Sequence, residues 1–225
     1  MSAIDRTPAV VTLRMGARLG AVAGAAFALL FFLGTAMLDI PLGLSDAETV
    51  AWWSDSGNQT TAVVSMYCFA IAGLCFLVFL VQLRSRLLAA EGGAGALTTL
   101  VVASGTVFVA MLLVAAMARG LIGFAVKAPV NDDVPLPGPD TLRYVPQIGT
   151  TALGTGGLLA AAVAIATTSW LIVRTGVFSR WLAWVGGLAT LLIVAANVAL
   201  SGVLAIPAVL VWALCTSVAM WRSAR

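Results

Sequence analysis

The chain alternates long uncharged runs with short segments that carry nearly all of its charge. Five long runs contain no Asp, Glu, Lys or Arg: residues 19–38, 56–83, 92–118, 144–173 and 181–221. A helix needs about 20 predominantly apolar residues to cross a hydrocarbon core of about 30 Å. Each of the first four runs fits one such helix and a little loop. The fifth has 41 residues; as a single helix it would be about 60 Å long, twice the core thickness. It therefore reads as a hairpin, with Asn197, Ser201, Gly202 and Pro207 marking the turn. Pro207 is tolerated there because the first turn of a helix needs no backbone donor.

The pattern predicts an all-α, polytopic transmembrane helical bundle with six spanning helices. They lie at about 17–38, 61–83, 96–118, 150–173, 181–200 and 203–221, all in one domain covering residues 1–225. Two outer loops are expected at about 39–60 and 119–149. Barrel strands would alternate apolar and polar positions over about ten residues, whereas these runs are continuously apolar.

Composition supports the bilayer as solvent. Hydrophobic residues make up 61% of the 225 and charged residues 9%, against about 25% charged in soluble domains. With six spans and the N-terminus inside, inner segments hold nine Lys/Arg and outer segments three. Acidic residues are reversed, with two inside and seven outside. Basic residues collect on the cytoplasmic side of membrane proteins, so both termini are expected in the cytoplasm. Trp170, Trp181, Trp184 and Trp221 fall near the inner interface, and Trp52, Trp53 and Tyr144 near the outer one. The uncharged stretch of the first segment exceeds the usual apolar core of a cleaved signal peptide, about 7–15 residues, and reads as a retained span.

The same inventory narrows the chemistry. The chain has no histidine, which removes His-ligated zinc and haem, and any Ser-His-Asp triad within it. Cys68, Cys75 and Cys215 lie inside apolar runs and read as small buried hydrophobes. No catalytic residue, cofactor or metal site is expected. No basic run with interleaved aromatics suits nucleic acid. The partner expected first is the lipid bilayer itself.

Four features stand out. Gly16, Gly20, Gly24 and Ala28 form a small-residue ridge that admits close helix approach, within the chain or to a membrane-protein partner or second copy. Gly154, Gly157 and Ala161 resemble it in the fourth span. Ser45-Asp46-Ala47-Glu48 is a capping box, so residues 46–54 are expected to form a short interfacial helix with Trp52 and Trp53 at headgroup depth, as anchors or as outer-loop contacts to a ligand. The 119–149 loop holds five of the eight prolines and is expected to be extended; its Asp132-Asp133 pair is a weak cation signal. Arg119 ends the third predicted span, but apolar sequence continues past it to Val126. A helix continuing there would put the charge inside the outer leaflet, where ionisable groups seek partners. Asp39, Asn197 and Tyr67 are at similar depth, so Arg119, Asp39, Asn197 and Tyr67 make a candidate outer-leaflet polar cluster. The alternative is that Arg119 snorkels to headgroups.

The inner turn Arg174-Thr175-Gly176-Val177-Phe178-Ser179-Arg180-Trp181, the Trp52-Trp53 loop and Gln82-Leu83-Arg84 together resemble a family of six-helix membrane proteins of actinobacteria grouped as a domain of unknown function. Proline often stands in that family where Ser179 stands here. The resemblance implies a bacterial plasma membrane and carries no activity or site residues. Three functions stay open: a non-enzymatic membrane subunit or regulator, a carrier or channel for a small or lipophilic solute, and an intramembrane enzyme acting on lipid. No carboxylate chain crosses the spans, and no span is visibly broken in its middle.

Overall fold

The computed structural model describes residues 7–37, 43–128, 135–200 and 202–223. These form helices joined by short turns, with no strand among them. The helices are α1 (Thr7–Met37), α2 (Asp46–Ser54), α3 (Ser56–Glu91), α4 (Ala96–Lys127), α5 (Pro139–Thr151), α6 (Leu158–Thr175), α7 (Arg180–Val198) and α8 (Ile206–Arg222). A π-helical segment, Ala152–Gly157, joins α5 to α6, and a 3₁₀ turn, Gly202–Ala205, leads into α8.

Five helical stretches are long and apolar enough to cross a membrane: Met15–Met37, Ser56–Glu91, Ala96–Lys127, Pro139–Thr175 and Arg180–Val198. The sixth apolar helix, Ile206–Arg222, has 17 residues. The 41-residue uncharged run does fold back, breaking after Val198 with Leu200 at φ 55°. The helices overrun the uncharged runs because a charged side chain near a helix end leaves the backbone ladder intact and reaches outward. The turn between α3 and α4 is tight, with Gly92, Gly93 and Gly95 all at positive φ, a region that costs other residues a Cβ clash.

Successive long helices run antiparallel and neighbour one another, and α8 closes back onto α1. One end of the bundle gathers the start of α1, the end of α3, the α6–α7 turn and the end of α8. Arg86 donates to Ser223 there, and Arg18 lies 5.9 Å from the Trp221 ring centre. This is the basic end of the bundle. The opposite, acidic end carries α2 and α5.

The middle is filled with rings. Phe27, Phe31, Phe69, Phe76, Phe79 and Phe108 are all buried. Phe27 and Phe76 meet tilted at 4.7 Å between ring centres, and Phe76 and Phe108 at 5.1 Å and Phe31 and Phe69 at 5.6 Å meet edge to face. Trp212 meets Phe79 edge-on at 6.0 Å. Such pairs contribute about 0.5–1.5 kcal/mol each beyond burial. Packing of this kind, rather than water exclusion, holds helices together in lipid.

The α1 ridge is taken up within the chain. A Cβ on Gly20 would stand 2.6 Å from both Gln82 Cβ and Met220 Cε, and one on Gly24 would stand 2.7 Å from Phe79 Cδ2 and collide with Ser217 Oγ. Gly16 faces Gln82 in the same way. The glycines thus let α1 sink between α3 and α8.

Two expectations change. The 119–149 segment is largely helical rather than extended: α4 runs on to Lys127 and α5 begins at Pro139. Pro139 suits the first turn, and α5 earns its place by burying Leu142, Pro146 and Gly149. A Cβ on Gly149 would stand 2.9 Å from the Ala115 carbonyl oxygen, so only glycine allows that approach to α4. The fourth span is also not uniform, because the π-helical segment lies at its acidic end. Gly202 packs there, 2.7 Å from its built Cβ position to the Gly154 carbonyl oxygen.

Candidate functional site

The acidic end is closed by a small polar cap built from α2 and α5. Ser45 starts α2: its Oγ accepts from Glu48 N at 3.4 Å, while Glu48 Oε2 accepts from Ser45 N at 2.9 Å and from Ser45 Oγ at 2.7 Å. These bonds, side chain first, hold the Glu48 carboxyl below its ordinary pKa. Asp55 caps α3 by accepting from Asn58 N at 2.9 Å. Arg143, on α5, donates to Asp46 Oδ1 at 2.9 Å and to the Leu44 carbonyl at 3.0 Å, with Asp140 at 3.8 Å. One guanidinium thereby ties both cap segments together.

The cap has its own apolar centre of Trp53, Ala62, Ile122 and Leu142. Trp53 is 1% exposed and meets Trp52 edge-on at 4.9 Å. The sequence expectation of two headgroup anchors is thus corrected for Trp53, which is the core of the cap. Asn58 Nδ2 donates to the Trp52 carbonyl and Gln59 Nε2 to the Trp53 carbonyl, satisfying the C-terminal end of α2. The Asn58 side chain of the Asn58-Gln59-Thr60 sequon is therefore engaged in the fold.

Arg119 lies eight residues before the end of α4, about 12 Å along the axis. Its guanidinium carbon stands 5.5 Å from the centre of the Phe69 ring, in cation–π range. Tyr67 is 51% exposed and turned outward, and Asn197 donates its amide to Ile193 O at 3.0 Å, one turn back in its own helix. Asp39, like Asp132 and Asp133, lies outside the described residues. The contacts described for Arg119, Tyr67 and Asn197 thus lead to three different partners: the Phe69 ring, the outside of the bundle and the α7 backbone.

The carboxylates give the chemistry of the fold. Five lie among the described residues. Asp46 and Asp140 face Arg143, Glu48 and Asp55 cap helices, and Glu91 accepts from Leu97 N, Thr98 N and Thr98 Oγ1 at the start of α4. Each is committed to holding a helix end or tying the cap. Among the described residues no three His, Cys, Asp or Glu side chains gather as a metal site would need. No family model matches the sequence, and neither a curated protein nor a solved structure matches it.

What sequence reasoning missed is the role of Arg143 and of Asn58 and Gln59. Their partners are backbone carbonyls and a carboxylate on other elements, and such partners leave no local pattern. The capping box, a local pattern, was legible.

Proposed function

We propose that this chain is a six-span plasma-membrane protein with both termini cytoplasmic, acting as a non-enzymatic membrane subunit or regulator. The observation that carries the reading is the filled middle of the bundle. A carrier holds its solute near the midplane among polar groups, whereas here six phenylalanines and Trp212 pack against one another. The commitment of the five described carboxylates to caps and pairs argues in the same direction against an enzyme. The cap over the acidic end, where Arg143 ties α5 to the start of α2, is the surface suited to recognising a membrane-protein partner.

Six spans are supported by α8 together with its leading 3₁₀ turn. Residues 202–222 make 21 helical residues, enough for a core needing about 17–25. The basic excess at the end where α1 starts and α8 finishes supports a cytoplasmic location for both termini. The resemblance to the actinobacterial six-helix family fits the same reading. The π-helical segment, with Gly202 against the Gly154 backbone, favours a second reading as a small carrier, since π-segments often sit at functional sites.

The test is purification in mild detergent followed by mass spectrometry, with reporter fusions at the C-terminus for sidedness. A stoichiometric membrane partner, lost in Arg143→Ala, is the expected result. A monomer with no partner that accumulates a solute in vesicles would replace this reading with the carrier.

A further inference from the structure

At the basic end, the α6–α7 turn and the last turn of α8 frame an open cavity of about 450 Å³. This lies within the roughly 300–1,000 Å³ of small-ligand sites. Val177, Phe178 and Trp181 form its apolar wall, and Ser179, Arg222 and Ser223 its polar one. Ser223 is held from behind: its hydroxyl donates to the Met220 carbonyl at 2.8 Å and accepts from Arg86. A second guanidinium therefore stands behind the polar wall. Ser179 is the N-cap residue of α7 but makes no capping bond with its side chain, which leaves its hydroxyl available and adds the positive end of the helix dipole.

The described carboxylate at this end, Glu91, acts on Arg174 rather than on Arg222 or Arg86. It spends both oxygens on the start of α4. The level of the cavity is marked by exposed rings: Trp170, Trp181, Trp184 and Trp221 all face outward around this end. Tryptophans in that arrangement sit at the depth of lipid headgroups.

We propose that this cavity binds the phosphodiester headgroup of an anionic membrane lipid. Arg222 pairs with the phosphate oxygens, Ser179 donates its hydroxyl, and Phe178 and Trp181 cover the glycerol and first methylenes. A guanidinium suits phosphate because two parallel N–H groups meet two oxygens. The apolar wall and the tryptophan belt select a lipid over free phosphate, which has nothing to bury there. The proposal rests on membrane residence but not on the regulatory role.

The test reconstitutes the full chain in vesicles of phosphatidylcholine alone, or mixed equally with phosphatidylglycerol, and counts retained lipids by native mass spectrometry. Wild type is expected to retain phosphatidylglycerol over phosphatidylcholine by about tenfold: both offer the same phosphodiester oxygens, but the choline cation of phosphatidylcholine is repelled by Arg222 and Arg86 and cancels the headgroup's net charge. Arg222→Gln removes the preference, Arg222→Lys keeps part of it, and Arg84→Gln, at an exposed arginine of the same end, leaves it intact. Added inorganic phosphate leaves the lipid bound. Equal retention of the two lipids, equal loss in Arg84→Gln, or displacement by inorganic phosphate would overturn the proposal; the last would reassign the cavity to free phosphate. Should Arg222→Gln fail to fold, full preference in Arg222→Lys overturns it as well. Failure to insert into either vesicle would instead refute membrane residence, which insertion without preference leaves standing.

Discussion

Replacing Gly24 with alanine tests how α1 is seated. The new methyl would stand 2.7 Å from Phe79 Cδ2 and collide with Ser217 Oγ. Phe79 is fully buried against Phe76 and Trp212, so its ring cannot swing aside. Overpacking of this kind costs about 1–3 kcal/mol. Alanine also gains about 0.8–1.0 kcal/mol over glycine from helix propensity, which blurs the single measurement. Gly187→Ala removes the ambiguity. Gly187 is exposed in the interior of α7, and a Cβ there meets nothing within 4 Å, so it reports the propensity gain alone. The difference between the two variants should therefore equal the overpacking cost, with Gly24→Ala the less stable by about 1–3 kcal/mol. Reversible unfolding in mixed micelles, followed by tryptophan fluorescence, measures both. Equal shifts in the two variants would refute the seating of α1 between α3 and α8. A Gly24→Ala penalty that scales with the protein-to-detergent ratio would show instead that the ridge mates with a second chain.

Three further outcomes are expected. The Glu48 carboxyl is lowered by its bonds to Ser45, so its contribution is present above the unfolded carboxylate pKa and is lost as pH falls through the lower folded value. The protection of α2 amides, taken relative to their intrinsic exchange rate at each pH, should fall over that acidic window in wild type and stay flat there in Glu48→Ala; matching profiles would remove the capping role. Arg119→Ala and Phe69→Leu should couple by about 0.5–2 kcal/mol in a double-mutant cycle of unfolding, whereas additive effects would show that the ring contributes nothing to holding Arg119. Thr216 Oγ1 is buried and has no hydrogen-bond partner among the described residues; Thr216→Val should be neutral or stabilise by about 1–3 kcal/mol, and a loss of stability in the same assay would mean that the hydroxyl is satisfied.

That the chain folds into long apolar helices was legible because the requirement behind it is local. An uncharged run of a given length either exceeds one crossing or does not, and the 41-residue run had to fold back. The capping box at Ser45 and Glu48 was legible for the same reason, since both partners lie within one turn. Residues 139–151 were misread because prolines were counted as breakers. Pro139 starts the helix, and Pro146 is carried inside it, where the helix buries Leu142, Pro146 and Gly149.

The candidate polar cluster shows the boundary between the two kinds of information. Depth along a helix is countable from sequence, and it put Arg119, Tyr67 and Asn197 near one level. Facing is not countable when every position in a run is apolar, because the alternation that would mark an inward side is missing. The fold alone turned Tyr67 outward, bent the Asn197 amide back to Ile193 and laid Arg119 over Phe69. In the same way the spacing of Gly16, Gly20 and Gly24 announced a close approach, while only the packed bundle decided that Gln82, Phe79, Ser217 and Met220 of the same chain would fill it. The amino-acid order settles which segments prefer lipid; which side chains meet between them is a three-dimensional fit.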